Sequence, residues 1–258
     1  MSLFTSLEKK IVLVTGGFQG IGREVVTTFQ NEKAIVIAAD LSYQNSDLKR
    51  LDDFEYQIHL DVSDETSVKN LADQLKTQNL TPNILVNVAG ISTMDYLIDS
   101  QTSDFDKTLA VNTRGTYLVS KYIVKLMVAA KRPGKVVLIA SQAGKNGYRA
   151  MSAYVASKHA VLGLTKTLAI EVAKDQINVN AVCPGIIETS MKHRERKDGA
   201  KIRGLTADDI EKEDNSQVPL GRTGTPKDVA NVVLFLASPL SDYMTGQGIN
   251  VTGGMTMN

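Results

Sequence analysis

Residues 11–22, IVLVTGGFQGIG, decide the fold because they place a strand, a glycine-rich turn and a helix start in immediate succession. Ile11–Thr15 has the apolar character of a buried strand, and residues 23–31 carry apolar side chains at helical spacing. Glycines let a backbone approach a bound group closely, and the free N–H groups of a helix start attract negative charge. The stretch predicts a cradle for a diphosphate, although a glycine-rich turn alone could also be a plain tight turn.

A carboxylate follows the second predicted strand, residues 34–39. Asp40 lies eighteen residues after Gly22, where a carboxylate can accept hydrogen bonds from an adenosine ribose. The same carboxylate would repel a 2′-phosphate, and no Lys or Arg stands at 17–19 or at 41 and 42 to attract one. With the strand, turn and helix in place, Asp40 therefore predicts a dinucleotide site that takes NAD rather than NADP.

Strand and helix patterns alternate along the rest of the chain. Further strands are predicted at 56–60, 84–87, 136–140, 177–182 and 248–251, and helices near 64–77, 104–130, 153–173 and 226–237. Such alternation implies parallel strands joined by right-handed crossovers, with helices on both faces. We predict an α/β fold, a Rossmann-type doubly wound parallel sheet in three layers, with residues 1–258 forming one domain.

Several polar or turn-forming residues directly follow these predicted strands, at the edge where ligands bind in such sheets. Besides the glycine turn and Asp40, they are Asp61, Asn87, Ser141 and Pro184. Two of them also have purely structural interpretations: Asp61 could cap the helix near 64–77, and Asn87 could bond a neighbouring strand. Their joint placement at one edge favours a binding site.

Tyr154 and Lys158 in YVASK are four residues apart, so a helix would place them on one face. Ser141 closes the apolar run 136–140 thirteen residues upstream of Tyr154. A lysine ammonium and an oxidised nicotinamide ring, both cationic, would favour the phenolate of the tyrosine. The phenol could then take a proton from a secondary alcohol or return it to a ketone, while Ser141 hydrogen-bonds the same oxygen.

These motifs together resemble the single-domain short-chain dehydrogenase/reductase family over essentially the whole chain. Residues 15–22 are similar to its TGxxxGIG motif, Asp61-Val62 to its adenine-side Asp, 87–90 to its NNAG, and 184–189 to the segment that grips the nicotinamide carboxamide. The catalytic tetrad that the resemblance implies is Asn112, Ser141, Tyr154 and Lys158. The cofactor site that it implies consists of Gly16, Gln19, Gly20, Ile21, Gly22, Asp40, Leu41, Asp61, Val62, Asn87, Ala89, Gly90, Tyr154, Lys158, Pro184, Gly185, Ile187 and Thr189.

The resemblance also implies roles for individual residues. Lys158 would bond the ribose hydroxyls, and Asn112 would hold a water linking Lys158 to solvent, unless it merely bonds backbone. The one departure from the family pattern is Val88, where a second Asn is common, which puts one supporting hydrogen bond in doubt. Relatives are commonly homotetramers that pair through the helices near 104–130 and 153–173, so a homotetramer is expected here; the apolar positions of residues 161–168 would serve that interface or the core.

Substrate identity depends on a segment at about 188–217, a mobile lid in this family. Residues 191–204 carry six Lys or Arg against two acidic side chains, so the lid could bind a phosphorylated sugar alcohol, or its charges could pair with the acidic stretch 208–214. Candidate substrate contacts are Ser141, Gln142, Tyr148, Tyr154 and Met191. Residues 141–144, 183–186 and 237–247 look like those of acetoin/diacetyl reductases (2,3-butanediol dehydrogenases) and of sorbitol and sorbitol-6-phosphate dehydrogenases, so we expect a small polyol, vicinal diol or acetoin-like ketone.

Composition limits the remaining possibilities. A net charge of +1 predicts no partnership with nucleic acid, and no stretch approaches the ~20 apolar residues of a membrane span. The start MSLFTSLEKK does not have the pattern of a secretion signal, and the single cysteine, Cys183, excludes an internal disulfide, so a cytoplasmic location is expected. Cys183 itself is a buried bystander or, less expectedly, a reactive thiol. No metal site is predicted.

Two alternative functions remain at this point. The chain could reduce another carbonyl, such as a carrier-bound 3-oxoacyl thioester, but that reaction would prefer NADPH and Asp40 opposes it. It could also be a dinucleotide sensor without turnover, because a fold does not determine a function; a sensor, however, has no need of both Ser141 and Tyr154.

Overall fold

The computed structural model describes residues 7–258, so the first six residues of the predicted non-secretory start lie outside it. The strands are β1 (Ile11–Thr15), β2 (Ile35–Asp40), β3 (Lys49–Arg50), β4 (Glu55–His59), β5 (Ile84–Asn87), β6 (Gly134–Ile139), β7 (Ile177–Pro184) and β8 (Gly248–Val251). The α-helices are α1 (Gly20–Asn31), α2 (Glu65–Thr77), α3 (Thr102–Leu109), α4 (Thr116–Ala129), α5 (Ser152–Val172), α6 (Ser190–Arg203), α7 (Ala207–Gln217) and α8 (Pro226–Ala237).

All eight strands belong to one sheet in the order β3-β4-β2-β1-β5-β6-β7-β8. Every pairing is parallel except that of β3 with β4. From β1 the chain first adds strands on one side and then, from β5 onward, on the other. The sheet is therefore doubly wound, as predicted, and its order reverses between β1 and β5, where open α/β sheets bind ligands.

Two apolar clusters cover the two faces of the sheet. One packs helices α2, α4 and α5 against it, around Leu71, Ile123 and Val161. The other packs α1 and α8, around Phe29 and Val233. Helices on both faces explain why the central strands are apolar on both sides and read as continuous hydrophobic runs.

Several elements differ from the sequence-based prediction, among them helix α6, which no sequence pattern predicted. The edge strand β3 was not predicted, because two exposed basic residues give no apolar alternation. Residues 207–217 form the unpredicted helix α7, which a capping box at Thr206 and Asp209 begins. Asp40 is the last residue of β2 rather than the residue after it.

The helix predicted near 104–130 contains an irregular turn. A π-helical segment, Ala110–Gly115, joins α3 to α4. It lies against the loop after β4, and a Cβ on Gly115 would come within 2.8 Å of the Val62 side chain. Such turns are frequent at functional sites because they redirect one side chain; here they place Asn112 toward α5.

Candidate active site

A cleft of about 560 Å³ opens at the carboxyl ends of the central strands. With two exceptions, Asn87 and Asn112, every residue predicted for the catalytic, cofactor and substrate sites lines it. The structure thus gathers side chains from 16 to 191 in the sequence at the edge where the strand order reverses. That these residues contact a cofactor or a substrate is a prediction, which rests on their positions in the cleft.

The glycine turn is built from close backbone contacts. Gly16 has φ of +69°, and a Cβ there would lie 2.9 Å from backbone atoms of Ala89. At Gly22 a Cβ would lie 1.9 Å from the carbonyl oxygen of Gly16, so no larger residue fits without moving the turn. The start of α1 therefore packs directly on the turn, and its N–H groups face the cleft where a diphosphate would bind.

Asp40 presents a carboxylate at one end of the cleft. Its Oδ2 accepts a hydrogen bond from Phe18 N at 3.2 Å, and its Oδ1 accepts one from Ser42 N at 2.8 Å. Each carboxylate oxygen has two lone pairs, so both retain capacity for a further donor. The two backbone bonds fix the orientation of the carboxylate, which fits a pair of ribose hydroxyls.

Asp61 lines the cleft and does not cap a helix. Its Oδ1 accepts hydrogen bonds from Ser63 N at 2.8 Å and Ser63 Oγ at 2.6 Å, while the cap of α2 is Asp64, which accepts from Thr66 N. The capping interpretation of Asp61 is therefore wrong. Asp61 instead closes a tight turn beside Val62.

Asn87 lies behind the cleft instead of in its wall. Thr15 Oγ1 donates to Asn87 Oδ1 at 2.6 Å and also accepts from the N–H groups of Val88 and Ala89, at 3.1 and 3.3 Å. The bond to a neighbouring strand, one of the two interpretations left open above, is the one that forms. Val88 donates to Thr15 Oγ1 through its backbone N–H, so a valine at this position, instead of the asparagine common in the family, does not remove that hydrogen bond.

Asn112 is fully buried and bonded on three sides. Its Nδ2 donates to Ile91 O at 2.9 Å and to Ser157 Oγ at 3.0 Å, and its Oδ1 accepts from Ile91 N at 2.8 Å. Both amide protons are thereby used. The sequence left two roles open for Asn112, holding a water or bonding the backbone, and its side chain bonds the backbone of Ile91. These bonds, together with the one to Ser157, fix the loop after β5 against α5.

Ser141, Tyr154 and Lys158 form one wall of the cleft. The first turn of α5 places Tyr154 over the end of β6, where its hydroxyl lies near enough to the Ser141 side chain for that side chain to lower the pKa of the phenol. The Lys158 ammonium lies 5.6 Å from the centre of the Tyr154 ring and donates to Ile139 O at 2.8 Å. The α-helical spacing of four residues thus brings the phenol and the ammonium to one place, as predicted.

The electrostatics of this wall differ from the expectation. Burial raises the pKa of Tyr154, the Glu195 carboxylate raises it further, and the neighbouring Ser141 hydroxyl lowers it in part. Burial also lowers the pKa of Lys158 to about 8. The protein's own groups therefore keep the phenol protonated, because desolvation of the phenolate outweighs the attraction of a nearby ammonium.

Comparison with known proteins identifies the family. Residues 16–256 match a family model described as enoyl-(acyl carrier protein) reductase. The chain belongs to the short-chain dehydrogenase/reductase family. Members of this oxidoreductase family bind a nicotinamide cofactor, and the glycine cradle, the oriented Asp40 and the Tyr154–Lys158 wall fit that group.

Three relatives of this dehydrogenase/reductase cover nearly its entire length. The 3-oxoacyl-(acyl-carrier-protein) reductase FabG of Thermotoga maritima is 36% identical and aligns over 97% of this chain and 99% of its own. The sorbitol dehydrogenase of Cereibacter sphaeroides is 30% identical over 98% and 99%. The structure of sorbitol-6-phosphate 2-dehydrogenase SrlD from Erwinia amylovora matches with a TM-score of 0.90, 32% identity and coverage of 96% and 100%.

In the predicted lid of this short-chain dehydrogenase/reductase, three of the six basic side chains of residues 191–204 form salt bridges with acidic side chains; they are Lys192, Arg196 and Arg203. Arg196, only 4% exposed, donates to Glu188 through Nη1 at 2.9 Å and Nη2 at 2.6 Å, and to Asp214 through Nε at 2.8 Å. Lys192 pairs with Asp214 at 3.0 Å, and Arg194 donates to Ser92 O at 2.9 Å. These contacts favour the second interpretation of the basic run, that it pairs with acidic neighbours.

The C-terminal segment supplies part of the cleft that sequence reasoning missed. Met255 lines the cleft, and its Sδ lies 3.4 Å from Gln142 Nε2. Thr256 Oγ1 donates to Gln142 Oε1 at 3.3 Å. Gln142 therefore uses both ends of its amide to hold the C-terminal segment. By contrast, the side chains of Tyr148 and Met191, two other predicted substrate residues, make no hydrogen bond among the described residues.

Lid residues facing the cleft were also missed. Lys192, Glu195, Asp214 and Gln217 line it beside Met191. The helical spacing of residues 191, 192 and 195 could have indicated that they share a face of α6, but no sequence signal shows which face turns inward. Cys183 is fully buried, and burial raises the pKa of its thiol, which fits the bystander interpretation.

Proposed function

We propose that the protein is an NAD-dependent oxidoreductase that interconverts a small secondary alcohol, most favourably a polyol or a vicinal diol, with its ketone. The supporting observation is a single cleft in which Ser141, Tyr154 and Lys158 form one wall while the glycine cradle and Asp40 form the other end. The reaction needs both parts, because the glycine turn would hold the dinucleotide and the wall of Ser141, Tyr154 and Lys158 would transfer the proton.

The chain's own residues would perform the proton transfer. In ketone reduction, the Tyr154 hydroxyl donates its proton to the carbonyl oxygen, and in alcohol oxidation the same oxygen takes the proton back. Ser141 Oγ, which lies beside the Tyr154 hydroxyl, would donate to the same substrate oxygen as negative charge develops there. When bound, the nicotinamide accepts or supplies the hydride.

Lys158 has two roles in this proposal. Its ammonium, held by Ile139 O, would bond the ribose hydroxyls and would stabilise negative charge on Tyr154. Because the protein alone raises the pKa of Tyr154, phenolate formation during alcohol oxidation depends on the added positive charge of the oxidised ring. Asn112 acts indirectly by fixing the loop and helix that border this wall.

Asp40 supports NAD over NADP. A 2′-phosphate would approach a carboxylate that two backbone N–H groups hold in place. Three cations line the cleft, and two of them, Lys158 and Lys192, are already bonded to Ile139 and Asp214. Neither of these two is available to pair with a 2′-phosphate in its observed position; the third, Lys107, lies on α3.

A second candidate is reduction of a 3-oxoacyl thioester, favoured by the 36% identity to the Thermotoga maritima FabG. The relatives named for sorbitol and sorbitol 6-phosphate support a polyol instead. The two candidates share the Tyr154 chemistry and differ in the substrate that the lid admits.

The test is an absorbance screen at about 340 nm, the band of the reduced nicotinamide. NAD and NADP are tried with sorbitol, sorbitol 6-phosphate, mannitol, xylitol and the butanediols, and NADH and NADPH with acetoin, diacetyl and acetoacetyl-CoA. Turnover of an alcohol or hydroxyketone with NAD(H) supports the proposal. Activity confined to the thioester, or a preference for NADP(H), contradicts it.

We also propose a cytoplasmic homotetramer, with residues 1–258 acting as one domain whose segment 188–217 is the lid. Leu164 lies in an open groove with Tyr117, and Ile170 on α5 is 80% exposed. No helix among residues 7–258 is long and apolar enough to cross a bilayer. Light scattering of the purified protein tests the tetramer, and a monomeric mass contradicts it.

A further inference from the structure

Glu195 is the acidic side chain of the lid that faces the catalytic wall without an ion-pair partner. It lines the cleft that Ser141 and Tyr154 also line, and its carboxylate is close enough to Tyr154 to raise the pKa of the phenol. No cation of residues 7–258 forms a salt bridge with it, whereas Asp214 and Glu188 are both paired. The lid thus turns one uncompensated carboxyl group toward the substrate.

A second polar group beside Glu195 is also unsatisfied. Ser92 is 6% exposed, and its Oγ has no partner that meets hydrogen-bond geometry among the described residues, although it lies near enough to Glu195 to lower the carboxyl pKa. Buried polar groups are nearly always hydrogen-bonded, since leaving one unpaired destabilises the folded protein. Ser92 does not line the cleft, so Glu195 is the group of the two that a substrate can reach.

The surroundings of Glu195 indicate the kind of ligand. Burial raises the pKa of its carboxyl, and Asp214 raises it too, while Lys192 and Arg194 lower it from their own bonded positions. A partly buried carboxyl group is stabilised by a hydroxyl donor and destabilised by another anion. Two lid cations that could attract a phosphate, Lys192 and Arg196, are already bonded to Asp214, and a third, Arg194, donates to Ser92 O.

We propose that Glu195 accepts a hydrogen bond from a substrate hydroxyl group near the reacting carbon, and so selects uncharged polyols or hydroxyketones over phosphorylated or carboxylated ones. This inference rests on the proposed function and names its substrate class. Glu195 is a specificity-determining residue in this proposal, and Tyr154 still moves the proton.

The experiment compares two substrates that differ by one hydroxyl group. Wild type, Glu195→Ala and Glu195→Gln are assayed with NADH against acetoin and butan-2-one, and with NAD against the best hexitol of the screen and its deoxy analogue. Asp198→Asn is the matched control, because it removes the same charge from α6 at a position outside the cleft wall. Melting temperature and NADH fluorescence establish that each variant is folded and binds cofactor.

We expect Glu195→Ala to lower the preference for the hydroxylated substrate, as the ratio of kcat/KM values, by about 10- to 100-fold, the usual effect of losing a hydrogen bond to a charged group. The change should be mainly in KM, Glu195→Gln should lose less, and Asp198→Asn should keep the wild-type ratio. Activity on sorbitol 6-phosphate relative to sorbitol should rise in both Glu195 variants.

Three results would overturn the inference. They are an unchanged ratio in Glu195→Ala, an equal loss on both substrates, or a wild type that prefers the phosphorylated polyol. Each of these leaves the proposed function standing, since turnover of an alcohol or ketone is still observed. A wild type that turns over no alcohol or hydroxyketone with either cofactor refutes the proposed function and the inference with it.

Discussion

The nucleotide end of the cleft and the lid above it are built from opposite kinds of interaction. At the nucleotide end, backbone atoms form the site: the backbones of Gly16 and Gly22 are in contact, and the N–H groups of Phe18 and Ser42 hold the Asp40 carboxylate. In the lid, long charged side chains pair with one another, centred on Arg196. A site for a constant ligand is built from local backbone, and a site for a variable one from side chains that can be exchanged singly.

The largest effect is expected where the two regions meet. Tyr154→Phe removes the hydroxyl that transfers the proton, so kcat should fall by about 10² to 10⁴-fold, the usual contribution of a general acid or base. NADH affinity should change little, since the ring is kept. Stopped assays with saturating cofactor measure kcat, and the fully exposed Tyr243→Phe serves as control. Full activity in a folded Tyr154→Phe variant would contradict proton transfer by the Tyr154 hydroxyl.

The next effect concerns the nucleotide end alone. Gly22→Ala puts a Cβ 1.9 Å from Gly16 O, so the turn must move, at a cost of about 1–3 kcal/mol or more. NADH affinity, measured by fluorescence titration, should fall by about 10-fold at least.

Gly163→Ala is the matched control, because the position on α5 has open space for a methyl group. That variant should bind NADH normally and melt at the same temperature or higher, since Ala favours helix. Equal behaviour of the two variants would show that the tight contact at Gly22 does not shape the cofactor site.

Cofactor choice should respond to Asp40. Asp40→Ala removes two acceptors for ribose hydroxyls and the charge that repels a 2′-phosphate, so the NAD/NADP ratio of kcat/KM should drop by about 10- to 100-fold. Steady-state kinetics with both cofactors measure the ratio. Lid variants such as Asp198→Asn should leave the ratio unchanged, and a shift of similar size in them would erase the separation between the two regions.

The smallest effect belongs to the lid ion pairs. The Arg196 guanidinium lowers the pKa of Glu188 to about 2, so this stabilisation is complete above the ordinary carboxyl pKa near 4.3 and is lost as pH falls through about 2. Glu188→Gln should lower the melting temperature by a few degrees at pH 7, and the difference from wild type should shrink on acidification.

A control for the lid is Glu213→Gln, which breaks a more exposed pair with Arg203. Such pairs contribute about 0–1 kcal/mol, so its melting temperature should barely change. A difference between wild type and Glu188→Gln that is as large at pH 2 as at pH 7 would contradict the assigned pKa direction.

Sequence reasoning succeeded where structure is local. The strand–turn–helix of residues 11–22 and the four-residue spacing of Tyr154 and Lys158 are properties of neighbouring residues, and both were placed correctly. The sheet and its two faces followed from the alternation of apolar periods. These features depend on backbone geometry that short sequences specify.

Sequence reasoning was incomplete where the residues that contact each other are far apart in the chain. The sequence left open whether the basic run of residues 191–204 binds a phosphate or pairs with acidic neighbours, because the partners of Arg196 lie eight residues before it, at Glu188, and eighteen after it, at Asp214. The contribution of Met255 to the cleft depends on the C-terminal segment folding back onto Gln142. The sequence shows the charges and the side chains, but only the tertiary structure shows which of them meet.

The π-helical turn Ala110–Gly115 has a consequence for how this gene could change by insertion or deletion. Loss of a single residue there would replace the wide turn by an ordinary α-helical turn, and the rest of the helix would keep its orientation, because the wide turn already accommodates one extra residue. Leu118 and Ile123 would therefore stay buried in the core. The side chain at risk is Asn112, whose bonds to Ile91 and Ser157 depend on the turn, so we expect a one-residue deletion here to disturb the catalytic wall more than the stability of the fold.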